Sequence, residues 1–215
     1  AFFAYGHYEG IPRLLDLMDK HGIKLSSFMI GKAVETSPEI AREIVRRGHE
    51  AAAHGRVWSN SYQLPKDQEK RFIADSVETI QKITGQTPIG WNAYWMRNSV
   101  HILETLQDLG FLYHIDEPSH DESFIVPVRG KDFVTVPYTM HMNDIVSFPF
   151  QGWNPAAYEQ ALKDEFESGL DKVVIAAWHS DVIAALADGL AKFGVVGIDG
   201  STSAKAREAN VHAFQ

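Results

Sequence analysis

Short apolar runs alternate with amphipathic stretches along most of this chain, and that alternation most limits the folds open to it. Residues 50–53, Glu-Ala-Ala-Ala, and residues 173–178, Val-Val-Ile-Ala-Ala-Trp, are short and largely apolar. Such runs suit strands buried on both faces, as a parallel sheet requires. Helices between them are marked by spacing and by punctuation. Pro12 opens a stretch with Leu14, Leu15, Leu17 and Met18 that Gly22 closes. Proline in the first turn and glycine after the last are common helix boundaries. Thr36 or Ser37 caps the next helix, with Pro38 in its first turn and Glu39 and Glu43 along it. Residues 64–84 carry Phe72, Ile73, Val77, Ile80 and Ile83 on one stripe and stop at Gly85. Further helices are read at 99–109, 155–168 and 182–193. Strands are read at 23–30, 50–53, 89–91, 111–115, 133–138, 173–178 and 195–198, with residues 117–133 a long polar loop. Strands alternating with helices of this length define parallel βαβ units. The expected class is α/β, a barrel or barrel-like sheet, as a single domain over residues 1–215.

In such folds the chemistry gathers at the C-terminal ends of the strands. Several strands here are followed by polar residues: His54, Asn92, Asp116, His141 with Asn143 and Asp144 beyond it, and His179. These are expected to line one mouth. His54 leads, because it follows the most clearly buried strand, and His49 is not its partner. The two histidines are five positions apart, about 140° round a helix and on opposite faces of a strand. A zincin helix needs the pair four apart. His49 is read as a structural residue at a helix-strand corner.

The net charge of −8 argues against nucleic acid or an anionic membrane as the main partner. No apolar run is long enough to cross a membrane. The chain has no cysteine, so it has no thiolate metal site, and a reducing, cytoplasmic setting is expected. Residues 1–10 lack the basic region of a signal peptide and read as the inside of a domain entered after its beginning.

Five short motifs in order carry a resemblance: Gly48-His49-Glu50, His54, Gly90-Trp91, residues 110–116 (Gly-Phe-Leu-Tyr-His-Ile-Asp) and, after residues 136–144 (Val-Pro-Tyr-Thr-Met-His-Met-Asn-Asp), His179. Together they resemble the polysaccharide deacetylase (NodB-homology) superfamily, in the branch with cofactor-independent allantoinases, cyclic imide hydrolases and some peptidoglycan deacetylases. The resemblance implies a distorted (β/α)7 barrel and hydrolysis of an amide-type C–N bond. In the sugar deacetylases of the superfamily a divalent metal is held by a first-strand aspartate and a His-x-x-x-His pair. His54 matches the first histidine, but Trp58 stands at the second position, and an indole N–H only donates. The family's first-strand aspartates are expected upstream of Ala1, so the domain is read as N-terminally incomplete. The arginine of its third motif is missing, since Asn92 and Ala93 follow Trp91, and Arg97 is the candidate replacement.

The expected reaction is therefore hydrolysis with no required cofactor, or with a divalent metal such as zinc weakly held by His54. His54, His179 and Asp144 are the candidate catalytic residues. Trp58, Trp91, Arg97, Asp116 and Asn143 are the candidate substrate-binding residues, with Tyr94 and Trp95 extending an aromatic wall. The expected partner is a small cyclic amide, imide or ureide, or an N-acetyl sugar. The replacement of a ligand by Trp58 favours the cyclic compound. A ligand-binding domain of the same fold without catalysis is the alternative. A barrel short of a strand would expose unpaired backbone, so a homo-oligomer is expected.

Overall fold

The computed structural model describes residues 2–120 and 123–167. The strands read at 173–178 and 195–198, the helix read at 182–193 and His179 lie outside the described residues. The chain divides into two compact units, one over Leu25–Tyr138 and one made of the residues on either side of it.

The flanking unit begins with α1 (Phe2–Tyr5), a π-helical turn at Gly6–Gly10, and α2 (Ile11–His21). Pro12 sits in the first turn of α2, and Gly22 ends it with φ 66°. A side chain at that left-handed angle would be strained, which is why glycine closes the helix.

The central unit is a six-stranded sheet in the order β1-β2-β3-β4-β6-β5. Its elements are β1 (Ser26–Met29), α3 (Gly31–Thr36), α4 (Pro38–Arg46), β2 (Glu50–Ala53), α5 (Lys66–Thr84), β3 (Gly90–Trp91), α6 (Ile102–Asp108), β4 (Tyr113–His114), β5 (Phe124–Val128) and β6 (Lys131–Thr135). The run from β1 to β6 is parallel, and only β5 is antiparallel to its neighbour. Ala51, Ala52 and Ala53 have no exposed surface. Alanine at three successive positions lets the helices and the neighbouring strands approach β2 closely. Ile73 and Ile80 of α5 are likewise sealed, about two helical turns apart on the stripe the sequence shows. His49 is buried at the corner between α4 and β2, and its Nδ1 accepts the Leu25 N–H at 3.4 Å.

Several elements differ from their sequence reading. Residues 117–133 are not one loop, because β5 forms within them and pairs with β6 through a two-residue turn. Arg129 and Gly130 hold φ 49° and 76°, the left-handed pair that a type I′ hairpin turn demands. The strand expected at 133–138 accordingly starts and ends earlier. The strand expected at 23–30 is four residues, Ser26–Met29, and α3 follows it at Gly31 after Ile30 as its N-cap. A Cβ at Gly31 would stand 3.3 Å from Arg56 Nη1 and 3.4 Å from the Ser76 Cα, a tight approach that a side chain could take only if its neighbours gave way.

In the flanking unit, α7 (Pro155–Glu167) packs with residues after Thr139. Met142, Tyr158 and Leu162 are buried there, with Phe148, Trp153 and Ala161 around them. The Tyr158 hydroxyl donates to the Met142 carbonyl.

Candidate active site

His54 directly follows β2. Its N–H donates to the Met29 carbonyl at 2.8 Å and so prolongs the β1–β2 ladder past the last assigned residue. Its Nδ1 lies 2.6 Å from the backbone carbonyl oxygen of Asn92. A carbonyl only accepts, so Nδ1 carries the proton and Nε2 keeps the lone pair. Burial pushes the imidazole pKa below its ordinary value, opposed by the Asn92 hydrogen bond and the Asp116 charge. The result is a neutral imidazole of fixed tautomer and fixed orientation near pH 7.

Asn92 follows β3 as His54 follows β2, and its N–H donates to the Ala53 carbonyl at 3.0 Å. Its side-chain amide donates to Asp116 Oδ1 at 2.7 Å, and the Ala93 N–H donates to the same oxygen at 2.8 Å. Asp116 is buried, and its Oδ2 has no hydrogen-bond partner among the described residues. Three successive strand ends thus meet: β2 through His54, β3 through Asn92 and β4 through Asp116. Behind Asp116, His114 Nδ1 accepts the Asp116 N–H at 3.4 Å, which leaves Nε2 to donate to Thr135 Oγ1 at 2.9 Å.

An aromatic group flanks His54. The Trp58 ring meets the imidazole edge to face at 4.6 Å, and Tyr94 at 4.8 Å. Trp95 stands 6.2 Å from Trp58. Trp58 is 49% exposed and Trp95 60%, far more than aromatic side chains used for packing. Trp95 and Met96 both hold φ above 50°, at 52° and 53°, an uncommon state for bulky residues that costs about 1–3 kcal/mol each. Arg97 follows, exposed, with Nη1 donating to the Tyr62 hydroxyl at 3.1 Å and its guanidinium 5.8 Å above that ring.

The structure brings His54, Trp58 and Asp116 together and sets Arg97 against Tyr62 beside the Trp95 turn. Trp91 is 1% exposed and packs edge to face on Phe111, so its ring stands in the core of the central unit. Asn143 and Asp144 stand in the flanking unit. There Asn143 Oδ1 accepts the Ile145 N–H at 2.8 Å, a self-capping turn, and Asp144 is buried. His179 lies outside the described residues. Sequence reading missed the Asn92 carbonyl, for which no side-chain pattern exists. It also missed Glu69, a buried carboxylate on α5 whose signal was an acid inside the apolar stripe.

A metal requires several donors converging on one point. Among the described residues no group of three or more His, Asp or Glu side chains is arranged to hold one. Next to His54 the nearest aromatic partner is an indole, and Asp116 has only Oδ2 left without a hydrogen-bond partner, so the two residues offer at most two donors. The described donor set does not fit a tightly bound metal, and no chemical step is assigned to one.

A half-buried histidine and a buried aspartate stand at the ends of neighbouring parallel strands, walled by aromatics. The polysaccharide deacetylase family model matches residues 2–114, more than half of the chain, and the chain belongs to that family. It is similar to the peptidoglycan deacetylase of Helicobacter pylori, with 33% identity over 135 residues, covering 63% of this chain and 46% of that protein. It is also similar to a putative polysaccharide deacetylase of Schizosaccharomyces pombe, with 28% identity over 66% of this chain and 49% of the other. The chain spans about half the length of these curated relatives. Among solved structures, a probable polysaccharide deacetylase from Pseudomonas aeruginosa superposes with a TM-score of 0.75 at 28% identity, over 89% of this chain and 67% of that one. An allantoinase superposes equally well, with a TM-score of 0.75 at 27% identity over the same shares. The fold is that of these hydrolases, α/β and barrel-related.

Proposed function

We propose that the chain hydrolyses an amide-type C–N bond in a small cyclic amide, imide or ureide, or in an N-acetyl sugar. The observation that carries this reading is the hydrogen bond from His54 Nδ1 to the Asn92 carbonyl beside the Trp58 ring. It leaves Nε2 as a fixed proton acceptor in a partly buried, aromatic setting. Water delivering its proton to Nε2 attacks the substrate carbonyl carbon, and the C–N bond breaks as the nitrogen takes up a proton. His179 is the proposed donor of that proton. Asp116 fixes the Asn92 side chain and supports the charge that builds on His54. Trp58, Tyr94 and Trp95 supply the wall for a planar ring or a sugar face. The family match, the deacetylase relatives and the allantoinase likeness support the reaction class; Trp58 in place of a metal ligand supports the cyclic substrate.

The test is turnover of allantoin, a five-membered cyclic imide and tetra-N-acetylchitotetraose by the wild-type chain and by His54→Ala. The expected loss in kcat/KM is about 10²–10⁴-fold, the usual worth of a general base. An active His54→Ala variant would sink the assignment. A second reading, a ligand-binding domain without turnover, is favoured by the unusual exposure of Trp58 and Trp95. It predicts saturable quenching of tryptophan fluorescence by one of these compounds with no product formed.

A further inference from the structure

The segment from Tyr94 to Ser99 is only partly packed. Trp95 and Met96 hold left-handed backbone angles, and Trp95 and Arg97 are exposed. Beyond them, Asn98, Ser99 and Val100 line an open cleft of about 460 Å³ rather than a packed wall. Val100 is 93% exposed. A segment with that much strain persists only if other contacts determine its shape. Trp58 touches its middle at Tyr94 and Trp95, and polar contacts hold its two ends. At one end the Ala93 N–H is held by Asp116 Oδ1 at 2.8 Å. At the other, Ser99 Oγ donates to Glu69 Oε2 at 2.6 Å. Ser99 also accepts the His101 N–H on Oγ at 3.1 Å and the Ile102 N–H on its carbonyl at 3.3 Å, so it anchors the start of α6 as well.

Glu69 is costly where it stands. It is 1% exposed on α5, a position its stripe would give to an apolar residue, and Oε1 has no hydrogen-bond partner among the described residues. A buried carboxyl with half its acceptors unused destabilises the fold unless it serves another purpose. We propose that Glu69 is a positioning residue which, through Ser99, holds the turn at Trp95 and Arg97 in the form that binds substrate. The proposal rests on the reading of Trp95 as part of the binding wall. It adds a residue that touches no substrate and sets how well substrate is held. Burial pushes the Glu69 pKa up while the Ser99 hydrogen bond opposes it, in keeping with a group kept there against its solvation preference.

The test compares wild type with Ser99→Ala, Glu69→Leu, Glu69→Gln and Trp95→Ala, using the same three compounds and amide hydrogen exchange of residues 93–99. Ser99→Ala and Glu69→Leu are expected to raise KM about three- to tenfold, the worth of one hydrogen bond, with kcat within about twofold, since a binding contact and not a chemical one is lost. Their Met96 and Arg97 amides exchange faster by a similar factor. Glu69→Gln keeps an acceptor for Ser99 and stays within about twofold of wild type in both readouts. Unchanged exchange and unchanged KM in Ser99→Ala overturn the proposal, and this small substitution decides the matter if Glu69→Leu does not fold. Trp95→Ala separates the two levels. If it leaves KM unchanged, the wall reading falls, and exchange in Ser99→Ala, which needs no turnover, still decides what Glu69 does. If Trp95→Ala raises KM and Ser99→Ala does not, Glu69 has no positioning role.

Discussion

A carboxyl group sealed into a helix-sheet interface loses the hydration that favours its charged form, so its pKa rises. Glu69 shows this shift, with burial as the first cause and the Ser99 hydrogen bond opposing it. The folded chain therefore binds the Glu69 proton more tightly than the unfolded chain does. By linkage, the stability this group contributes is fully present below its ordinary value near 4.5 and is lost as pH rises through the folded value. Glutamine has no such proton. Glu69→Gln is thus expected to gain stability relative to wild type as pH rises from about 4 to 7, read by urea unfolding across that range. Parallel stability curves for the two proteins would show that Glu69 is not desolvated. At this scale the sequence was partly legible. His54 stood out because it follows a run of small apolar residues that only a buried strand explains. Trp91 was placed with the substrate because the indole invited it, but strand alternation sets its ring on the packed side, against Phe111. Glu69 went unseen because the stripe was traced through its apolar members alone.

At the scale of elements, the hairpin of β5 and β6 was hidden by its surroundings. Polar residues and a proline flank five that alternate partly buried and exposed, and the turn uses Arg129 where asparagine is usual. In a two-residue hairpin Val128 and Lys131 form the hydrogen-bonded pair, so Ile125 and Pro127 turn their backbone toward the open edge. Proline has no N–H to offer there, and an edge lacking donors is a poor template for another chain. Pro127→Thr restores the donor. It is expected to raise light scattering on heating and to shift the chain toward larger species in sedimentation; an unchanged profile would show that the edge is covered by other means. A second element-level constraint lies at β3. A Cβ on Gly90 would stand 2.2 Å from Tyr113 Cζ across the sheet, and the Tyr113 hydroxyl is held by Glu50 at 2.9 Å. Gly90→Ala should cost about 1–3 kcal/mol, as overpacking does. Adding Tyr113→Ala should make the pair less damaging than the sum of the singles. Strict additivity would mean that the ring moves aside freely.

Over the whole molecule, the fold class was readable because the period of apolar residues changes between helix and strand, and because motif order survives where each motif alone is weak. The division into two units was not readable, since no linker composition marks Lys24–Leu25 or Tyr138–Thr139. Metal dependence is best tested at this same scale, through thermal stability. A metal that binds only the folded chain stabilises it by RT ln(1 + [M]/Kd), whatever its effect on turnover. A weak site with Kd equal to the added zinc gives about 0.4 kcal/mol, and one with Kd a thousandfold lower gives about 4 kcal/mol. His54 is set beside an indole, and Asp116 adds only Oδ2, since two donors occupy Oδ1. This donor set leads to the smaller figure. Melting of the dialysed chain with and without zinc, followed by His54→Ala under the same conditions, is expected to show a shift of about 1–2 °C or less that the variant abolishes. A rise of ten degrees or more in the wild-type chain, lost in His54→Ala, would mean that residues beyond the described ones complete a full metal centre round His54, and the weakly metal-dependent reading would be replaced by a metal-dependent one.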